Sequence, residues 1–544
     1  MSKVVHTVIG LAGSASNWKA RTLFASDACI STEQPSSGCN IPLHSLHSHT
    51  TRPSSILPHT SIDSGAVYHA LPPTAADDDF DSELELTFDD SATDLFVVDH
   101  AVDSRIRWVY FMLGCAILLP WNVLITATSF FLSRLVGSPL RATFASYLTT
   151  TSTVFNVFAL AHATATSKQS SPSRRVFWSA ASVTLIIVLL FYSTFGYYQP
   201  STFFFFAILC AISLAICVSY LSTATYAGAS LFGAPYMQSM ISGQAAIAVV
   251  VSVVQVITSA LTVWDSTPEA IAAFISNDGV GDGTAEQDSA RAFFGISALF
   301  MISTFMAYAW MARLPAYKAT VGILEQNAKL EGTSGSVDET GRLVFRDQAS
   351  LEERNQIIRV FKANIIYEFA LAYVFVITLA IFPVITITIQ STNPNTHPLL
   401  FTAVHFLMFN LGDFFGRYIC SFPSVITWSA ARILAFSIVR TLFIPIFLLC
   451  NTVQGPSRGL PVISSDFVYM LLVGALGLST GYVSTLCMLG ASSLEHNPRL
   501  RHRREDVPIA STVAGFCLIV GLAIGGFGSF GVRAIICQCN PFVN

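Results

Sequence analysis

The chain has 544 residues, 52% of them hydrophobic and only 11% charged, with mean hydropathy +0.58 and a formal net charge of −4. Soluble domains carry about 25% charged residues, so this composition excludes a soluble enzyme and a nucleic-acid-binding domain. The net charge points to no partner, because the acidic residues gather in the amino-terminal tail.

Residues 1–104 are rich in Ser, Thr, His and Pro and then turn acidic at Asp77-Asp78-Asp79-Phe80-Asp81-Ser82-Glu83. Without a sustained apolar pattern, such a segment cannot bury enough surface to order itself, and it is predicted to be a disordered cytosolic tail. Its first thirty or so residues have the acid-poor, Ser-rich composition of a transit peptide, but an ordinary tail is the better fit. It has no secretory apolar core, so the first membrane helix is expected to start insertion itself.

After Arg105, eleven stretches reach the roughly twenty apolar residues that a bilayer requires. They run from Ile106 to Leu132, Arg141 to Thr164, Val176 to Tyr197, Thr202 to Phe232, Pro235 to Val263, Ala292 to Arg313, Lys362 to Gln390, Pro398 to Phe422, Trp428 to Leu449, Asp466 to Ser492 and Val507 to Ile536. The fourth and fifth meet at Phe232-Gly233-Ala234-Pro235, which predicts a tight turn. A polar connector at 314–361, predicted to be a cytosolic loop with helical pieces, divides helices one to six (105–313) from helices seven to eleven (362–544). The predicted fold is therefore an all-α membrane protein of eleven transmembrane helices in a six-plus-five arrangement.

Basic residues set the orientation. Arg105, Arg107, Lys168, Arg174, Arg175, the arginines and lysines of the 314–361 connector, and Arg499, Arg501, Arg503 and Arg504 all fall on one side. The other side holds few, such as Arg141 and Arg458. Cytoplasmic loops carry the excess of Lys and Arg, which places the amino terminus in the cytosol and, with an odd number of spans, the carboxyl terminus on the far side.

Within the first span, Leu119-Pro120-Trp121-Asn122 is a poor choice for plain lipid-facing helix. Pro120 removes a backbone donor and Asn122 carries an amide that hydrocarbon cannot satisfy. Trp121 lies away from the interfacial belt where Trp collects, and offers a flat face for a planar ring and one donor; core packing is the alternative reading. The eighth span places Asn410, Asp413 and Arg417 at i, i+3 and i+7 on one helix face. An intramembrane carboxylate and guanidinium are costly unless they pair or meet water. They serve either as a structural ion pair or as a polar substrate site in which the carboxylate accepts from hydroxyls and the guanidinium donates. Arg440 in the ninth span must face the interior. It is expected to have a structural or gating role and is able to pair with Asp413. His405 on the eighth span is expected to be a hydrogen-bonded structural residue. Gln244 in the fifth span follows Ser242-Gly243. Gly477 with Gly481, and Gly521 with Gly525, are small-xxx-small pairs that allow close helix contact.

The 11 cysteines lie mostly in apolar segments with no metal or disulfide spacing. No Walker sequence, zinc-protease motif or nucleophile elbow occurs, so neither an enzyme, a bound metal nor a cofactor is expected.

These segments together resemble the equilibrative nucleoside transporters. Leu119 to Asn122 with Ile125 to Ala127 looks like their first-helix signature. Ser230-Leu231-Phe232-Gly233 and Met240 to Gln244 look like their fourth- and fifth-helix motifs. Phe409 to Arg417 is similar to their Phe-Asn-x-x-Asp-x-x-Gly-Arg pattern, the most specific of the set. Val439-Arg440 with Pro445, Gly481-Tyr482 through Met488, and Gly521 to Gly525 with Phe530 and Arg533 resemble the last three helices. The resemblance implies a major-facilitator-like fold and facilitated transport of nucleosides by alternating access, in the plasma membrane or a vacuolar or lysosomal membrane. It implies that Trp121 lines the base side of the site and that Asp413 and Arg417 meet the sugar hydroxyls, with Asn122 and Asn410 as further candidate substrate-binding residues. Familiar members carry a glutamine two residues before Ser-Leu-Phe-Gly; here Gly228 stands there, which implies altered base recognition and a wider pocket. A carrier of nucleobases or another small polar solute on the same fold is the alternative. A membrane sensor or scaffold with a recruiting tail fits less well, because it needs no intramembrane ion pair.

Overall fold

The computed structural model describes residues 102–537, apart from 142, 168–170, 265–283, 323–353, 384, 387–388, 390, 393–395, 451–462 and 501–502. The predicted disordered tail and most of the connector lie outside the described residues. The structure is helical: α1 (Ser104–Thr126), α2 (Phe144–Ala165), α3 (Pro172–Ser193), α4 (Pro200–Phe232), α5 (Ala234–Trp264), α6 (Thr284–Met311), α7 (Ile365–Ile381), α8 (Pro398–Ile419), α9 (Ala430–Leu448), α10 (Asp466–Ser492) and α11 (Val507–Cys537). Each corresponds to one predicted span.

Local chemistry sets many of the helix boundaries. α3, α4 and α8 begin on Pro172, Pro200 and Pro398, whose missing N–H falls where a helix has no acceptor anyway. Gly233 breaks α4 from α5 at φ 99°, a left-handed conformation that favours glycine, which bears out the predicted tight turn. The seventh helix is shorter than expected. It ends at Ile381, just before Phe382-Pro383, because the residue preceding a proline is pushed out of helical geometry. A separate helical piece, Arg354–Ala363, precedes it at 77° to α7 and lies mostly in the stretch predicted as connector. In α9, Pro445 cannot donate and crowds the preceding turn, and the helix tightens to a 3-10 turn at Arg440–Leu442. The first span breaks at Ala127 and resumes as a short helix, Thr128–Arg134.

Among the described residues, nine helices are long and apolar enough to cross a membrane, and a tenth is added if 354–381 is one bent span. The remaining one, α2, has length enough at 22 residues but is rich in hydroxyls. Several are satisfied within the helix: Thr149, Thr151 and Thr153 donate to the carbonyls of Ala145, Tyr147 and Thr149 at 2.9, 2.6 and 2.8 Å. Two of its polar side chains meet α4, where Ser219 Oγ donates to Asn156 Oδ1 at 2.9 Å and His162 bonds Tyr220 at 2.6 Å. Large apolar side chains such as Phe205, Leu261, Leu299 and Phe467 stand exposed on the bundle, a surface suited to lipid.

The helix pairings repeat at a spacing of six helices. α1 packs on α5 as α7 packs on α11; α2 packs on α4 as α8 packs on α10. The two groups join through α5 with α8, through α2 with α11 and through α4 with α11. This duplicated plan is the six-plus-five, major-facilitator-like architecture. The apolar core is asymmetric along the bundle. At the end where α1 begins, one continuous cluster takes Tyr110, Tyr226, Met240, Leu371, Leu486 and Ala514 from both groups. At the other end two clusters stay apart, one around Phe130, Phe203 and Phe294, the other around Phe382, Phe401 and Tyr469.

Candidate functional site

The seam of α8 with α10 begins in glycine. A Cβ at Gly412 or Gly416 would collide with the α10 carbonyls of Gly474 or Leu478, and one at Gly477 or Gly481 with those of Phe409 or Asp413. Backbone therefore lies on backbone, as the small-xxx-small spacing of α10 predicts. Gly521, and to a lesser degree Gly525, do the same against α7. This contact, with α5 on another side, draws Asp413 and Arg417 inside, where they are 7% and 8% exposed.

Arg417 Nε donates to Asp413 Oδ2 at 2.9 Å, so the predicted i,i+4 pair forms. Arg417 also reaches across to α5, where Nη1 donates to the Ile241 carbonyl at 3.2 Å. Gln238 Nε2 donates to Ser242 Oγ at 2.9 Å and to the Arg417 carbonyl at 3.4 Å. Asn410 Nδ2 donates to Ser252 Oγ of α5 at 2.6 Å. Asp413 Oδ1 is buried and has no hydrogen-bond partner among the described residues. A buried acceptor without a donor is costly. Gln244 Nε2 donates to the Tyr226 hydroxyl at 2.9 Å, tying α5 to α4.

Trp121 and Asn122 are half-buried on α1, which packs closely along α5 through Gly114 and Gly243. Asn122 Nδ2 donates to the Leu118 carbonyl one turn back at 3.0 Å, so part of its amide is satisfied in its own helix. Among the described residues, no hydrogen bond or ring contact joins Trp121 to the ion pair. The structure thus brings Asn410, Asp413 and Arg417 together with α5, and leaves the α1 pair on a separate wall.

Two sequence expectations change and a third is met. Arg440 makes no ion pair with Asp413. Its guanidinium donates to Thr378 and Thr480 hydroxyls at 2.7 and 2.8 Å, to the Ser479 hydroxyl and to the Leu476 carbonyl at 3.4 Å. It binds α9 to α7 and α10, the structural side of its expected role. His405 is hydrogen-bonded, as expected: Nε2 meets Thr386 Oγ1 at 2.8 Å and Nδ1 the Thr402 carbonyl at 3.1 Å. Gly228 does not open a wider space, because a Cβ there would lie 2.8 Å from the Tyr110 hydroxyl. The room released by the missing side chain is taken by α1.

Gln238, Ser252 and Tyr226 escaped the sequence reading, although Gln238 was visible as an amide in an apolar run. Glu368 was visible too. It is a carboxylate inside α7, 1% exposed, with no charged partner among the described residues and with the thiols of Cys487 and Cys517 beside it.

The profile of the family described as "Nucleoside transporter" matches residues 206–534. The chain is 24% identical over 474 residues to "Equilibrative nucleoside transporter 1" of Homo sapiens, covering 79% of this chain and 96% of that one. It is 25% identical over 442 residues to "Equilibrative nucleoside transporter 3" of Rattus norvegicus, covering 77% and 86%. Over a shorter stretch of 198 residues, 35% of this chain and 40% of the other, it is 32% identical to "Equilibrative nucleoside transporter 2" of Homo sapiens. A crystal structure of a variant of the E. coli fucose:proton symporter FucP superposes with TM-score 0.48 at 11% identity, over 79% of this chain and 93% of that one. The proton:xylose symporter XylE does so with TM-score 0.48 at 12% identity, over 81% and 91%. With more than half of its length matched by the family profile, the chain belongs to the nucleoside transporter family.

Proposed function

We propose that this protein carries nucleosides across a membrane by facilitated diffusion, with the substrate held between the six-helix and five-helix groups. The observation that carries the reading is the buried Asp413–Arg417 pair at the α5–α8 seam, with one carboxylate oxygen left without a donor. Sugar hydroxyls supply that donor, and the guanidinium donates to sugar or base oxygens. Trp121 and Asn122 form the base wall, where stacking is tolerant of ring identity.

The divided core supports alternating access. Apolar contacts fuse the groups at the end where α1 begins and leave them separate at the other. With the amino terminus in the cytosol, this conformation is closed to the cytosol and parted toward the far side. Tags on the two ends should show opposite accessibility in sealed, oriented vesicles. Equal accessibility would overturn the eleven-span topology.

With no nucleotide-binding motif in the sequence, transport is expected to need neither ATP nor a sodium gradient. Purified protein in liposomes should take up labelled adenosine down its own gradient, without ATP or sodium. Strict dependence on a sodium gradient would refute facilitated diffusion.

A further inference from the structure

At the end of the bundle where α1 begins, α3 and α6 enclose a groove of about 360 Å³. Arg174 and Arg313 line it from the two helices, and Phe177 and Trp178 line it lower on α3. Its floor is a hydrogen-bonded cluster. The Tyr308 hydroxyl donates to the Ser173 carbonyl at 3.2 Å, and the Tyr317 hydroxyl meets those of Tyr308 and Ser173 at 3.2 and 3.3 Å. That network fixes the spacing of α3 and α6, so the groove is formed before anything enters it.

Neither arginine is spent. Both are exposed, and neither pairs with a carboxylate among the described residues. The neighbouring Arg175, by contrast, is engaged with the Ala163 carbonyl and the Thr166 hydroxyl. Trp178 is 64% exposed, with its ring edge-to-face on Phe177 at 5.6 Å. An exposed indole beside unpaired guanidiniums at the end of membrane helices marks the boundary of headgroup and acyl chain. Guanidiniums match phosphate oxygens two at a time. Two positive charges at one mouth favour an anionic headgroup over a zwitterionic one.

We propose that this groove binds the headgroup of an anionic phospholipid of the cytosolic leaflet. Its phosphate sits on Arg174 and Arg313, and the root of its chains lies against Phe177 and Trp178. The leaflet assignment rests on the orientation proposed above; the binding itself does not depend on transport. A bound lipid bridges α3 and α6 and braces the six-helix group.

The test is thermal unfolding of the purified full chain in neutral detergent, titrated with dioctanoyl phosphatidic acid. The expected result is a saturable rise in Tm, with no rise from dioctanoyl phosphatidylcholine or from glycerol 3-phosphate. In the Arg174→Gln/Arg313→Gln variant the apparent affinity falls about twenty-five-fold, from two basic contacts each worth about a factor of five. The Tm without lipid stays put, since both side chains are exposed. Ala312→Trp, which fills the groove without touching its charge, also removes the response while adenosine uptake in neutral-lipid vesicles persists. An equal rise from phosphatidylcholine, a full rise from glycerol 3-phosphate, or an undiminished response in both variants would overturn the proposal. Because no transport enters the unfolding readout, failure here is distinct from failure of the nucleoside reading.

Discussion

Asp413→Asn and Arg417→Ala should each reduce nucleoside uptake by at least about tenfold, since hydrogen bonds to charged groups are worth roughly 1.5–3 kcal/mol. A loss by either single variant does not separate a substrate site from a structural ion pair. Removing one partner leaves the other charge buried and unpaired, which costs about 3–5 kcal/mol in soluble proteins and lowers the amount of folded transporter. The discriminating variant is Asp413→Asn with Arg417→Gln. It removes both charges and keeps an N–H donor where Arg417 Nε meets residue 413, while the shorter side chain gives up the α5 contact to the Ile241 carbonyl. If the pair only holds α8 in place, this neutral version should fold and transport. If Asp413 takes the sugar hydroxyls, it should fold, reach the membrane and remain at least tenfold slow. Uptake is to be measured per folded molecule, with surface protein quantified by labelling. Normal uptake by the doubly neutral protein would remove Asp413 and Arg417 from the substrate site and leave them as scaffold.

The substrate side of this argument was legible in the sequence because membrane burial makes charge expensive. Asp413 and Arg417 stood out in an apolar run, and helical spacing alone placed them on one face. Span order and the turn at Gly233 were legible for a similar reason, since length, apolarity and glycine each have a narrow meaning in a membrane chain. Partners across helices were not legible. Nothing in the sequence says that Arg440 spends its donors on Thr378, Ser479 and Thr480 instead of on Asp413. The reason is that hydroxyls, unlike carboxylates, are common in these helices and carry no charge to single them out. Gly228 shows the same limit. A missing side chain reads as empty space in one dimension, but in three the Tyr110 hydroxyl has moved into it. The break of the seventh span was missed because its apolar run continues past Pro383, and apolarity says how far a segment can reach, not whether it stays helical.

Gly481→Ala should be among the most damaging small substitutions in the chain. Its new Cβ would collide with the Asp413 carbonyl, with the Asp413 carbonyl carbon at 2.9 Å and the Arg417 nitrogen at 3.0 Å. These are backbone atoms and no rotamer change relieves them, so α10 must move away from α8 along the seam. Overpacking a core by a single methyl commonly costs about 1–3 kcal/mol, and here the cost falls on the backbone under both site residues. Two effects should appear together: a lower Tm, and slower uptake by the molecules that remain folded, because displacing α8 moves Asp413 and Arg417 relative to α5. Gly526→Ala is the matched control. It lies in α11 with nothing within 4 Å of the added methyl, so it should be neutral or gain up to about 1 kcal/mol from the better helix propensity of alanine. The pair separates a general intolerance of glycine replacement from a specific backbone contact. Equal Tm values and equal uptake for the two variants would show that α8 and α10 do not pack through Gly481, and the glycine seam could not then be what positions the ion pair.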